Sequence, residues 1–191
     1  MAATPSTKLD PVTRQAVLGT AAAAIESGLG RSIASPPDAR HLPQPLAEHR
    51  ASFVTLTLDR ALRGCCGTLE PARPLLLDVW HNAQASAFHD PRFPPLRASE
   101  LPEIRLELSV LSEPRSVTGV EEIQVGRHGL IVRRGPRSGL LLPQVATEYG
   151  WDRDTFLSHT CLKAGLPENS WREPGTEIEI FGAEVFGEGR E

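Results

Sequence analysis

The sequence predicts an α+β fold, a largely antiparallel sheet with flanking helices, on three observations. Apolar residues alternate over several short runs, those runs come in pairs joined by turn residues, and no Gly-rich strand-to-helix repeat points to a parallel sheet. The 191 residues are 40% hydrophobic and 23% charged, an ordinary balance for a folded chain with one substantial core or two small subdomains sharing one.

Asp10-Pro11 reads as an N-cap followed by Pro at the first helical position. The helix it opens carries Val12, Ala16, Ala23 and Ile25 and stops near Gly28. Pro36, Pro37, Pro43 and Pro45 mark residues 31–51 as an irregular excursion. Phe53 to Leu58 alternates, with Val54, Leu56 and Leu58 on one face. Asp59-Arg60-Ala61 is a short turn, and Leu62 to Leu69 returns as the second strand of a hairpin. Pro74 opens a helix with Leu76, Val79, Trp80, Ala83 and Ala87 on one side. The prolines in residues 88–96 forbid regular structure there. Ile104 to Leu111 alternates cleanly as a strand.

A strand pair is expected at 128–134 and 139–142, joined by Gly135-Pro136-Arg137-Ser138. Helices follow at 143–149 and 152–164, the latter with Asp152 as N-cap and Gly165 as its stop. Glu177 to Phe186 alternates again as a last strand.

A net charge of −4 gives no pull toward nucleic acid or an anionic membrane. Arg133, Arg134 and Arg137 make the nearest thing to a basic patch, and with no aromatic residues among them they read as a solvated turn. The polar N-terminus has no secretory n- and h-region, and the uncharged run Gln15–Ile25 is far below the ~20 residues of a membrane span. The three cysteines, Cys65, Cys66 and Cys161, are an odd set with two adjacent members, unlike a secreted disulfide framework. A cytoplasmic chain is expected. No C-x-x-C occurs to support a structural zinc, and no P-loop, G-x-G-x-x-G or H-E-x-x-H is present.

Chemistry concentrates in LRGCCGTL at 62–69. Strict alternation puts Leu62, Gly64, Cys66 and Thr68 on the core face and Arg63, Cys65 and Gly67 opposite. Cys66 is then a small buried hydrophobe. Cys65 becomes the candidate nucleophile or redox thiol, with the Arg63 guanidinium beside it to favour a thiolate. Gly64 and Gly67 let a ligand or another backbone come close. The residues alone leave open the plainer alternative, that both cysteines are core and the glycines mark a bulge. Asp90-Pro91-Arg92 reads two ways as well: a rigid loop offering Arg92 to an anion, or an Asp-capped turn closed by an internal ion pair. His81 and His89 are candidates to approach Cys65 in space, against the plainer reading of surface or structural histidines.

FVTL at 53–56, LRGCCGTL, AFHDPRFPPL at 87–96, HGLIV at 128–132, GLLLPQVATE at 139–148 and CLKAGL at 161–166 together resemble the AMMECR family, whose bacterial and archaeal members are called AmmeMemoRadiSam system protein A. The resemblance runs in order from Phe53 to Phe186, and the whole chain, 1–191, is expected to form a single AMMECR-type domain with the helix at 11–27 packed on it. The family's Arg-Gly-Cys-apolar-Gly pattern falls on Arg63, Gly64, Cys65 and Gly67, with Cys66 here at the apolar position. The resemblance implies an α+β fold of two intimately packed subdomains, and association with a Memo-type protein and a radical S-adenosylmethionine enzyme. Two functions follow as expectations. One is an enzyme that binds a small anionic molecule in a cleft beside Cys65, with Arg63, Gly64, Gly67, Asp90 and Arg92 forming the site. The other is a non-catalytic binding or scaffold protein for those partners.

Overall fold

The structure, a computed structural model, describes residues 8–187. In chain order its main elements are α1 (Pro11–Gly28), β1 (Ser52–Leu58), β2 (Ala61–Gly67), α2 (Leu75–Phe88) and β3 (Arg105–Leu111). There follow β4 (Arg115–Ser116), β5 (His128–Arg134), β6 (Arg137–Leu141), α3 (Pro143–Glu148), α4 (Arg153–Lys163) and β7 (Glu177–Gly187). The chain divides into two compact units, one running to Leu111 and taking in the chain from Glu184, the other Ser112–Ala183. The α+β class is as the sequence predicts. Among the described residues no helix is long and apolar enough to cross a membrane.

In the first unit β1 pairs antiparallel with β2 and with β3, and β3 is followed in the sheet by β7. Val54, Leu56, Leu106, Leu108 and Val110 are buried against α1 and α2 in one apolar cluster. The Asp10 carboxylate accepts from the N–H groups of Val12 and Thr13 at 2.9 and 3.1 Å, two of the donors that a helix start leaves unpaired. Both ends of α1 fall where the sequence places them. Its core face is Thr13, Val17, Ala21, Ala24 and Ile25, whereas Val12 is 79% exposed. Alanines on every side of the helix hide the stripe in the sequence, and the i, i+4, i+8 row from Thr13 leaves Val12 about 100° off it. Glu184, 8% exposed, fastens the start of this unit to its end. Its two oxygens accept from the Leu9 N–H and from Arg14 Nε, each at 2.7 Å.

Residues 31–51 are irregular, as their prolines suggest, apart from a short helical turn at Ala39–His41, a turn at 44–47 and a single bridge from His49 to Pro74. The β1–β2 turn is tighter than expected, two residues rather than three, and Asp59 and Arg60 both have positive φ, 51° and 67°. That is the I′ geometry whose twist matches a hairpin, although neither residue is the glycine that tolerates it best.

In the second unit β5 pairs antiparallel with β6 and β7, and β4 pairs with β7. The hairpin turn is Gly135-Pro136, with Gly135 at φ 56°; Arg137 and Ser138, expected in the turn, are already ladder residues opposite Arg134 and Arg133. Phe156 and Leu157 of α4 pack with Leu130, Ala146 and Ile180 in the core of this unit. Asp152 caps α4 by accepting from the Thr155 N–H at 2.8 Å, and Gly165 follows its end at φ 71°. The arginines of the basic turn are engaged: Arg133 with Glu179, Arg134 with Glu173, and Arg137 with the Gly165 carbonyl.

The hairpin yields a stability prediction. A non-Gly residue in the left-handed region costs roughly 1–2 kcal/mol, partly offset by the entropy a glycine loses on folding. Arg60→Gly creates the favoured Asp-Gly pair and should raise the urea midpoint by the equivalent of about 0.5 kcal/mol with an unchanged m-value.

Candidate functional site

Strand β2 is an edge strand, with β1 on one side only. Cys65 stands opposite Thr55, and both of its outward backbone groups are taken by one loop. Its N–H donates to Asp90 Oδ2 at 2.9 Å, and its carbonyl accepts from Arg92 Nη2 at 3.1 Å. Asp90 and Arg92 are joined in turn by two parallel bonds, Nε to Oδ1 at 2.9 Å and Nη2 to Oδ2 at 2.7 Å. Asp90-Pro91-Arg92 thus does for Cys65 what a neighbouring strand would do. Of the two readings the loop left open, the internal ion pair is the arrangement present. Asp90 is 4% exposed. The Arg92 guanidinium above all, then the N–H groups of Cys65 and Arg92, hold its carboxyl well below the usual carboxylate range, against the cost of burial.

The Arg92 side chain is 54% exposed, and among the described residues its Nη1 has no hydrogen-bond partner. The same guanidinium lies within electrostatic reach of Cys65 and Cys66. The Cys65 thiol is half-buried and takes a hydrogen bond from Thr55 Oγ1 at 3.3 Å. His81 and His89 are exposed, and the contact made by the His89 ring is with the Gln84 carbonyl, 3.5 Å from Nδ1.

Arg63 behaves otherwise than its spacing suggests. The register jumps from Leu56↔Gly64 to Thr57↔Leu62, so Arg63 is the extra residue of a β-bulge. The bulge breaks strict alternation: Leu62 is 43% exposed while Gly64 is buried, where the sequence pattern puts both on the core face. Arg63 reaches the segment after α2 and is only 11% exposed at its side chain. Nε and Nη2 grip Glu100 at 2.8 and 3.1 Å, and Nη1 donates to the Pro94 carbonyl at 2.9 Å. The Glu100 carboxyl is held low by Arg63 first, with burial opposing. Arg63 therefore anchors residues 94–100 to β2, and the guanidinium coupled to Cys65 is that of Arg92.

Both glycines admit protein atoms. A Cβ on Gly64 would collide with the Ser86 carbonyl of α2, and one on Gly67 would collide with the Phe53 ring and the Ser52 carbonyl. Cys66 is half-buried rather than sealed in the core. Its N–H donates to Ser86 Oγ at 2.8 Å. Burial, and after it the Asp90 charge, push its thiol up.

Sequence reasoning missed the polar face of α2. Asp78, Asn82 and Ser86, at i, i+4 and i+8, are all buried, at 1%, 5% and 1% exposure. Asp78 Oδ2 accepts from the Ser52 N–H and hydroxyl at 2.9 and 2.7 Å, from Thr68 Oγ1 at 2.7 Å and from Asn82 Nδ2 at 2.9 Å. Ser86 Oγ donates to the Val54 carbonyl at 2.7 Å. The signal was there as a four-residue polar period opposite the apolar one, which reads equally well as a solvated face. Among the described residues no three His, Cys, Asp or Glu side chains group as metal ligands.

The AMMECR1 family model matches residues 18–186. Protein MK0488 of Methanopyrus kandleri is 53% identical over 154 residues, covering 76% of this chain and 74% of its own. Protein PF1979 of Pyrococcus furiosus is 44% identical over 169 residues, 83% of this chain and 79% of its own. Among solved structures, the uncharacterized protein PH0010 of Pyrococcus horikoshii aligns with a TM-score of 0.82 at 41% identity, over 91% of this chain and 90% of that one.

Two predictions follow from the site. An acid whose folded pKa is depressed contributes stability above its unfolded value, and that contribution is lost as pH falls through the folded value. Asp90→Asn should therefore cost about 2–3 kcal/mol in urea titrations at neutral pH, with a gap to wild type that narrows below about pH 4. Brief iodoacetamide treatment near pH 7 should label Cys65 well before Cys66, whose thiolate is disfavoured by burial and by Asp90. Peptide mapping that found the label first on Cys66 would contradict this.

Proposed function

This chain belongs to the AMMECR1 family, and from that premise we propose that it binds a small anionic molecule at the Cys65 thiol and the Arg92 guanidinium, with Cys65 as the nucleophilic or redox-active group. The observation that carries the reading is that a half-buried thiol and a half-exposed guanidinium, its Nη1 unpartnered among the described residues, sit within electrostatic reach of one another. Asp90 fixes the fork of Arg92 from below, so little side-chain freedom is lost when Nη1 meets a carboxylate or phosphate. Arg63, Gly64, Gly67 and Asp90 then act as frame: they hold β2, α2 and the 90–100 segment together around the thiol. A cytoplasmic setting, where free thiols stay reduced, suits this chemistry.

A second reading draws on the glycines. Because Ser86 and Phe53 occupy the space beside Gly64 and Gly67, the glycine–cysteine strand also suits a non-catalytic scaffold that docks a Memo-type protein and a radical S-adenosylmethionine enzyme.

Thermal unfolding against a panel of carboxylated and phosphorylated metabolites separates the two. A ligand at ~100 times its Kd adds about 2.7 kcal/mol, a shift on the order of 5–10 °C for a chain this size. Arg92→Lys keeps a cation for Asp90 but removes the fork and Nη1, so it should fold and bind the hit at least several-fold more weakly. No hit across the panel, together with tight binding to such partner enzymes, would favour the scaffold.

A further inference from the structure

The β1–β2 register places a hydroxyl against the candidate thiol for a geometric reason. In an antiparallel pair, residues facing each other alternate between those that exchange ladder hydrogen bonds and those that do not, and the second kind bring their side chains closer. The N–H and carbonyl of Cys65 point outward, to Asp90 and Arg92, so Cys65 and Thr55 are a pair of the close kind. Thr55 Oγ1 lies 3.3 Å from Cys65 Sγ as a result. Thr55 is β-branched, so its χ1 is stiff and the hydroxyl is held in place before any reaction. On the other side of β1 the same row continues to Glu107 of β3, which leaves Thr55 as the side chain between the thiol and the rest of the sheet face.

We propose that Thr55 is a positioning residue for thiol chemistry at Cys65, its hydroxyl donating to Sγ and favouring the thiolate that attacks an electrophile. The inference rests on the reading of Cys65 as the functional thiol and deepens it. A donor aimed at the charged form of a group stabilises that form, and a thiolate, not a thiol, is the attacking species. The donor in this case is neutral, so Thr55 assists ionisation without adding a charge that would compete with Arg92 for an anionic substrate.

The test uses the reaction of the whole protein with iodoacetamide, in which the Cys65 Sγ–carbon bond forms, the carbon–iodine bond breaks, iodide leaves and the thiol proton goes to buffer. Second-order rates at Cys65 are followed by peptide mapping across pH for wild type, Thr55→Val and Thr55→Ser. Thr55→Val preserves shape and β-branching and removes the donor. It should alkylate roughly three- to tenfold more slowly near neutral pH, with its rate–pH curve displaced to higher pH. Thr55→Ser retains the donor and should stay close to wild type. A Thr55→Val curve that overlies wild type would overturn the inference, as would equal slowing in both variants, which would assign the effect to packing. The anion-induced thermal shift is recorded on the same proteins. A shift present in wild type and kept in Thr55→Val, alongside unchanged alkylation, defeats the role of Thr55 alone. No shift in wild type defeats the anion site instead, and the alkylation comparison still decides Thr55.

Discussion

An edge strand has to find partners for the backbone groups that face away from its neighbour, and around Cys65 nearly every other feature depends on how β2 does so. The loop after α2 supplies a carboxylate for the N–H and a guanidinium for the carbonyl. The two are also an ion pair, so each backbone bond is held by a group that is itself immobilised. A carboxylate buried this deeply would be costly alone; with Arg92 and backbone donors on both oxygens it stays ionised, and its charge is what makes the grip on the Cys65 N–H strong. Pro91 contributes by fixing φ between the two functional residues, and it removes a backbone N–H that would otherwise need a partner. Arg63 repeats the device a few residues away, where a β-bulge turns it toward Glu100 and the Pro94 carbonyl. Two arginine–carboxylate forks therefore fasten one proline-rich segment to one strand, and such a segment, unable to form regular structure, needs side-chain bonds of this kind to be ordered at all.

The other side of the strand is secured by the buried polar face of α2. Asp78 Oδ2 gathers donors from the start of β1, from Thr68 just after β2 and from Asn82 on its own helix. Among the described residues its second oxygen has no hydrogen-bond partner, and it lies 3.8 Å from Arg73 Nε. Burial pushes the Asp78 carboxyl up, with the Ser52 and Thr68 hydrogen bonds opposing. For an acid raised in this way the sign is opposite to that of Asp90: its ionisation weighs against the fold above the folded pKa and is relieved as pH falls. Holding a polar group at that cost makes sense where register matters, because hydrogen bonds to particular backbone atoms tolerate no slip, whereas an apolar face would accept several.

Much of this architecture was legible. The ends of α1 were written in Asp10-Pro11 and Gly28, β3 in the alternation from Ile104 to Leu111, and the irregular stretches in their prolines. LRGCCGTL and Asp90-Pro91-Arg92 stood out in the sequence too, although the residues could not say that these two segments bind each other. What escaped did so for different reasons, the first being that pattern reasoning assumes an unbroken period. The bulge at Arg63 shifts alternation by one residue, so Leu62 and Gly64 cannot both follow the rule. The row Asp78, Asn82, Ser86 keeps its helical period but inverts the usual link between polarity and exposure. The buried face of α1 could not be chosen at all, because an alanine-rich helix carries no contrast.

The adjacent cysteines show how a backbone can give two chemically identical side chains different surroundings. Neighbours on a strand point to opposite faces, so Cys66 turns toward Ser86 and α2, where burial keeps its thiol protonated. Cys65 turns toward Thr55, on the side where the Arg92 guanidinium is partly open to solvent. Asp90 bears on the Cys66 thiol by its charge and on Cys65 through the backbone. Its charge disfavours the Cys66 thiolate directly, and it fixes the Arg92 guanidinium that bonds the Cys65 carbonyl. A frame this rigid around a thiol left half-open costs several buried polar groups. The fork would be needed whatever side chain stood at position 65, because it serves the backbone of the strand; what is particular to Cys65 is the Thr55 hydroxyl held at its sulfur.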